Sequence, residues 1–271
     1  MYIISWNING LASRFSELQK LVADYTPDFV CLQKVRNNSS RDKFEIAGYR
    51  QLYTMQDSGK WSGVMIYAKI PSDVDSHTAF LSMPQRIQTP ELSREGHLQL
   101  YDCNDFILAN AYVPFANFDI EGAVEYRKKW DIEFRRLICE LVKKKPVVIC
   151  GDLNIVHTQR DSCEANIEMN RPCFTQWERD NFNQLLVEAD LADAYRSIYC
   201  DEQVVTFYGN YRNMKIGNRL DYFLISRSLL PSSATSDILT NFGTGQSVPI
   251  ILDFNPGVSA SKAGTIQEKS K

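Results

Sequence analysis

The sequence predicts an α/β fold in a single domain. Short apolar runs at 2–6 and 29–32 flank an amphipathic stretch, the spacing of a strand–helix–strand crossover. A long amphipathic segment at 121–144 leads straight into another apolar run at 147–150. No internal repeat and no Gly/Ser/Pro-rich linker divides the chain.

The elements follow in order. Tyr2-Ile3-Ile4-Ser5-Trp6 predicts a strand that ends in a loop at Asn7-Ile8-Asn9-Gly10. Leu11, Phe15, Leu18 and Val22 recur at helical spacing, and Pro27 stops that helix. Phe29-Val30-Cys31-Leu32 predicts a second buried strand. Further strands are expected at 64–67, 97–100 and 106–109. A helix is expected over 121–144, with Tyr126, Trp130, Phe134, Leu137, Ile138 and Leu141 on one face. Lys143-Lys144-Lys145 marks its end, and Pro146 introduces the strand Val147-Val148-Ile149-Cys150. A helix over 176–188 and strands at 204–208, 221–225 and 249–253 complete the domain, which spans 1–255. The remainder, 256–271, is small and polar and reads as a disordered tail.

Composition sets limits. A chain of 271 residues that is 44% hydrophobic can bury a large core. Lys+Arg 30 against Asp+Glu 33 gives a net charge of -3, which excludes a general basic coat. Phosphate contacts must then come from a local patch. The cysteines number 7 and form no CxxC pair, which suits a reduced intracellular protein of cytoplasm or nucleus. No signal peptide is expected ahead of the first strand, and no run approaches the about 20 apolar residues that span a bilayer. A monomer with no membrane partner is expected.

Chemistry concentrates after the strand at 147–150. Asp152 and Asn154 lie two residues apart and project to the same side of the strand's C-terminal end, where α/β proteins place their sites. Phosphodiester hydrolysis needs a base to position water and donors to steady phosphoryl oxygens, and this pair suits those tasks. A turn-capping Asp/Asn pair would look the same. Asn7 and Tyr112 could add phosphate contacts, or serve as a turn residue and a packing residue. His157 and Asp161 could hold the loop after Asn154. His77 and His97 read as surface or packing residues.

Taken together, these pieces resemble the exonuclease III/apurinic endonuclease family of the endonuclease-exonuclease-phosphatase superfamily. The likeness rests on segments in one order along the chain: Ser5-Trp6-Asn7-Ile8-Asn9-Gly10-Leu11, Pro27-Asp28-Phe29-Val30-Cys31-Leu32-Gln33, Ser62-Gly63-Val64, Glu95-Gly96, Ala111-Tyr112-Val113-Pro114, Glu125-Tyr126-Arg127, Gly151-Asp152-Leu153-Asn154, Phe174-Thr175, Arg219-Leu220-Asp221-Tyr222-Phe223 and Pro249-Ile250. The resemblance implies a four-layer α/β sandwich of two facing mixed β-sheets flanked by helices. It implies Mg²⁺-dependent cutting of the DNA backbone at abasic sites or 3′ ends. It assigns phosphate contact to Tyr112, water positioning to Asp152, phosphate binding to Asn154 and orientation of a histidine to Asp221. Asn7 and Asn9 would line the metal site, and Asn7, Asn9, Arg127, Arg219 and Phe207 are the implied nucleic-acid contacts.

The pattern breaks at defined positions. The family's metal-binding Glu is Lys34 here, and its closing Asp and His are Gln246 and Ser247. No histidine follows His157 anywhere in the chain. An ammonium cannot ligate Mg²⁺, and its charge opposes the ion by several kcal/mol at about 4 Å and an effective dielectric near 20. Serine supplies no proton chemistry near neutral pH. Phe115 stands where Asn is usual, and Asn218 where Trp is common. The sequence therefore predicts a degenerate homologue, with Lys34 paired to Asp152 or Asp221. No cofactor is expected, or Mg²⁺ if the protein is active, and the partner is DNA or a protein.

Overall fold

Alternation along the strands decides the architecture. The computed structural model describes residues 1–36, 41–54, 63–71, 85–87, 96–211, 214–230, 235–243 and 245–253. The expected tail at 256–271 lies outside the described residues, as do Ser62, His77 and Glu95.

The chain runs β1 (Tyr2–Asn7), α1 (Leu11–Tyr25), β2 (Phe29–Gln33), β3 (Tyr49–Thr54), β4 (Val64–Lys69), β5 (Gln85–Ile87), β6 (Leu98–Asp102) and β7 (Ile107–Tyr112). It continues with α2 (Ala123–Val142), β8 (Val147–Asp152), α3 (Ala165–Glu168), α4 (Gln176–Glu188), β9 (Leu191–Asp193) and α5 (Ala194–Ile198). It closes with β10 (Phe207–Tyr211), β11 (Met214–Asn218), β12 (Asp221–Ser226), β13 (Thr235–Ile238) and β14 (Ile250–Asp253).

These strands form two mixed sheets. One has the order β13-β14-β1-β2-β4-β3 and the other β5-β6-β7-β8-β12-β9, with β10 and β11 as a separate ribbon. In the first only β1 and β2 pair in parallel; in the second only β7 and β8 do. Successive side chains point to opposite faces. Ile3, Cys31 and Ile66 of the first sheet therefore meet Leu108, Val148, Cys150 and Phe223 of the second in a core between the sheets. Their neighbours Ile4, Trp6, Val30 and Leu32 face outward and pack under Leu11, Leu18 and Leu21 of α1. Val147, Ile149 and Leu224 face outward under Trp130, Phe134 and Ile138 of α2 and Phe182 and Leu185 of α4. The result is four layers, helix, sheet, sheet, helix.

The caps follow the local sequence. Thr26 takes left-handed backbone (φ 42) and its N–H donates to Val22 O at 2.8 Å, closing α1 just before Pro27. Thr175 opens α4 with a capping box shared with Glu178. One residue of α2 departs from expectation: Tyr126 is exposed rather than packed on the apolar face. It sits in the first turn of the helix. The strand expected at 204–208 forms at Phe207–Tyr211 instead, paired with a β11 that the apolar pattern does not announce.

A candidate phosphate-binding cleft at one end of the sandwich

The same alternation builds the site. Residues 3, 5 and 7 of β1, 108, 110 and 112 of β7, 148, 150 and 152 of β8 and 221, 223 and 225 of β12 all face the space between the sheets. Asn7, Tyr112 and Asp152 are the last residues of their strands, and Asp221 is the first of an antiparallel one. Asp221 stands directly opposite Asp152 in register. Two sheets thus deliver four polar side chains to one end of their shared core.

Beneath them lies a polar bridge that the sequence did not flag. Gln33 Nε2 donates to Ser5 Oγ at 3.0 Å and to Asn110 Oδ1 at 2.8 Å. Asn110 Nδ2 donates in turn to the carbonyls of Leu32 (3.2 Å) and Met65 (3.1 Å). All three side chains are buried, so this cross-sheet network fixes how β1 and β2 sit over β7.

Asp152 is the hub. Its Oδ2 accepts from Asn7 Nδ2 at 2.7 Å, and its Oδ1 accepts from the Asn154 backbone N–H at 3.0 Å. Lys34, just past β2, brings its Nζ to 3.7 Å from Asp152 Oδ2 and 4.9 Å from the centre of the Tyr112 ring. The expected pairing of Lys34 falls on Asp152. Asp221 differs: neither carboxylate oxygen has a hydrogen-bond partner among the described residues. The nearby Thr206 hydroxyl instead accepts the N–H groups of Leu220 (3.0 Å) and Asp221 (3.1 Å).

The charges follow from burial and neighbours. Burial pushes the Asp152 carboxyl up, while Lys34, the Asn154 N–H and the Asn7 amide pull it back. Burial and the Asp152 charge push Asp221 well above the usual carboxylate range, against the Thr206 hydroxyl and the Lys34 charge. Burial would lower Lys34, but attraction to Asp152 and Tyr112 outweighs it and the ammonium is held charged. Burial raises the Tyr112 phenol, with Asp152 adding to the rise and Lys34 opposing it.

Lys34, Tyr112, Asp152 and Asn154 open onto a cleft of about 1010 Å³. Arg36, Phe115, Phe118, Arg171, Phe207 and Gln246 line it as well. Phe115 is 45% exposed and Phe118 50%. No histidine is among the lining residues. Ser247 is buried, and its backbone carbonyl accepts from Trp6 Nε1 at 3.3 Å.

Several expected contacts sit elsewhere. Arg127 is buried, donating to Asp131 (2.8 Å) and to the carbonyls of Pro114 (2.8 Å), Leu153 (3.2 Å) and Asn154 (3.2 Å). It ties the loop after β8 to the loop after β7 and is a positioning residue rather than a nucleic-acid contact. Arg219 is likewise buried, held by Asp161 (2.7 Å) and Asp193 (2.6 Å) and stacked 4.3 Å from the Tyr222 ring centre. Its guanidinium is committed to the interior because two ion-pair partners and an aromatic face surround it. Asn9 is exposed, with left-handed backbone, and does not line the cleft. Asn154 lines the cleft but spends one amide hydrogen on Val113 O at 2.7 Å. Asp161 holds its loop through Thr158 and Arg219, whereas His157 pairs with Asn183 at 2.8 Å. The basic residues Lys128 and Lys143 form exposed ion pairs along α2 with Glu125 and Glu140.

The donor set does not fit Mg²⁺. Such an ion needs near-octahedral oxygen ligands and tolerates no ammonium among them. Here both Asp152 oxygens already accept hydrogen bonds, and Lys34 faces one of them. No group of three or more His, Cys, Asp and Glu suited to a metal occurs among the described residues. No helix among them is long and apolar enough to cross a membrane.

Comparison with known proteins places this architecture. Residues 4–242 match the Endonuclease/Exonuclease/phosphatase family. The chain is 33% identical to the DNA repair nuclease APEX1 of Danio rerio, covering 93% of this chain and 81% of that protein. It is 26% identical to an exodeoxyribonuclease of Bacillus subtilis, covering 94% and 100%. Among solved structures, a 3′ phosphatase, NExo, from Neisseria bound to a product DNA hairpin superposes with a TM-score of 0.78 at 22% identity, over 94% of this chain and 99% of that one. An AP endonuclease from Archaeoglobus fulgidus gives 0.76 at 21% identity, over 94% and 99%. With the two facing sheets, the order of the motifs and the matched length in agreement, the chain belongs to the endonuclease/exonuclease/phosphatase family, in its exonuclease III/apurinic endonuclease branch.

Proposed function

We propose that this protein is a catalytically degenerate member of its family that uses the cleft to bind nucleic acid. The Lys34 ammonium beside Asp152 carries this assignment. A cation built into the chain stands among the acids, and no histidine among the described residues lines the cleft to exchange a proton with a leaving group. Removal of one catalytic group costs several orders of magnitude in many enzymes. Here Lys34, Gln246 and Ser247 replace three. The cleft nevertheless keeps basic residues at Lys34, Arg36 and Arg171 beside exposed aromatic rings, a combination suited to phosphates and bases. The relative bound to a DNA hairpin supports the choice of ligand class.

A second reading, a Mg²⁺-dependent apurinic endonuclease or 3′ exonuclease with a rearranged site, draws on one observation: Asn7, Tyr112, Asp152 and Asp221 still converge. Incubation of the protein with an abasic duplex and Mg²⁺ or Mn²⁺ separates the two. The degenerate protein leaves the strand intact. Nicking that disappears in Asp152→Ala establishes the nuclease instead.

A further inference from the structure

Lys34 has features that a residue merely tolerated in a dead site would lack. Its backbone is left-handed (φ 50), an uncommon conformation for a side chain of this kind. The flanking segment is nonetheless fixed: Gly10 N–H donates to Lys34 O at 2.9 Å, and Leu11 N–H to Val35 O at 2.9 Å. The side chain is 20% exposed and lines the cleft, so the ammonium reaches both the buried acid and the solvent side. An ammonium offers three donors. Asp152 and the Tyr112 phenol are the groups it meets at its base, which leaves donor capacity toward the cleft. The opposite acid, Asp221, is buried with both oxygens unpartnered among the described residues.

We propose that Lys34 is a tethered cation that substitutes for a divalent metal, so that the cleft grips a nucleic-acid phosphate group with no metal ion present. In this arrangement Asp152 and Asn7 orient the ammonium, and Lys34 is the group that touches the phosphate oxygens. No bond forms or breaks. The idea rests on the nucleic-acid assignment above and sharpens it: the ligand is a phosphodiester, and its capture is independent of metal.

The test is fluorescence anisotropy with a labelled single-stranded oligonucleotide, in EDTA and in millimolar MgCl₂. The wild-type dissociation constant should agree between the two conditions within about twofold once ionic strength is matched. Lys34→Gln should weaken binding on the order of ten- to a hundredfold, the range for one hydrogen bond to a charged group. Lys34→Glu should bind poorly in EDTA and recover on addition of Mg²⁺, since it gives the acids an ion to share. Thermal melting of each variant guards against misfolding, and Lys34→Arg, which keeps the charge, should rescue binding relative to Lys34→Gln. Tight binding that needs Mg²⁺ in the wild type overturns the proposal. So does Lys34→Gln binding as well as wild type, which would leave the nucleic-acid assignment standing. No binding to the oligonucleotide under any condition removes both.

Discussion

At the scale of single residues, Asp221 carries an electrostatic cost. Its carboxyl is buried and faces the Asp152 charge, and these two outweigh the Thr206 hydroxyl and the Lys34 ammonium. Its folded pKa lies well above the unfolded value of about 3.9, so the native state binds the proton more tightly than the unfolded chain. The resulting stabilisation is complete below that unfolded value. It is lost progressively as pH rises toward the folded pKa. Asp221→Asn removes the titration, and it should raise the melting temperature near neutral pH by about 2–4 °C, equivalent to roughly 1 kcal/mol for a domain of this size. The gain should shrink toward pH 4. Scanning calorimetry of both proteins across that range checks it, and a variant less stable than wild type near neutrality would contradict it. The sequence made Asp221 visible as a member of a motif. It could not show the burial beside a second acid, because that depends on what stands across the sheet.

At the scale of elements, two joints hold the site in place. Gly151 in β8 has φ 136, and a Cβ there would lie 1.9 Å from the Ala111 carbonyl oxygen of β7. The parallel pair can close only over a glycine. Gly151→Ala combines backbone strain with a clash and should cost roughly 3 kcal/mol or more in chemical denaturation. The second joint is the ion-pair network of Asp161, Arg196, Arg219 and Asp193 that anchors the loop after β8 to β12. Burial alone would raise Asp161, but the Arg219 charge and the bonds from Arg219 and Arg196 outweigh it and bring its pKa to about 2. A depressed carboxylate stabilises the fold above its unfolded pKa of about 3.9, and that stability is lost as pH falls toward about 2. Asp161→Asn should therefore cost roughly 3–5 kcal/mol near neutrality by leaving Arg219 buried without its full complement of charge. It should also flatten the acid limb of the stability curve. A neutral-pH loss under about 1 kcal/mol would contradict the network's role.

Legibility in the sequence divides along the same lines. β1, α1, β2, β8, α4 and β12 follow from apolar periodicity and caps. β3, β9, β11 and β13 escaped because they are short or polar and carry no alternation: β13 reads Thr-Ser-Asp-Ile. Asn7, Tyr112, Asp152 and Asp221 could be found because each ends or begins a clear strand. Arg127 and Arg219 were misplaced for the opposite reason. Arg219 is held by Asp161 at a separation of 58, and Arg127, besides its helix neighbour Asp131, reaches the carbonyls of Leu153 and Asn154, which no local pattern reports.

At the scale of the whole molecule, a chain of net charge -3 attracts nucleic acid only where its basic groups are gathered. Lys34, Arg36 and Arg171 line one cleft together with the exposed rings of Phe115 and Phe118. Three phosphate contacts on a single strand predict that log affinity falls against log salt with a slope of about -2. Phe115→Ala should weaken binding roughly tenfold through loss of base stacking while leaving that slope unchanged. A slope near zero would move the binding surface away from this cleft. The central claim is narrower: a lysine amine occupies the charge position that a metal ion would need. Titration calorimetry with Mg²⁺ and Mn²⁺ meets it most directly. The account predicts no saturable site in the wild type up to millimolar ion, and a site gained in Lys34→Glu. A stoichiometric site in the wild type that vanishes in Asp152→Asn would contradict it.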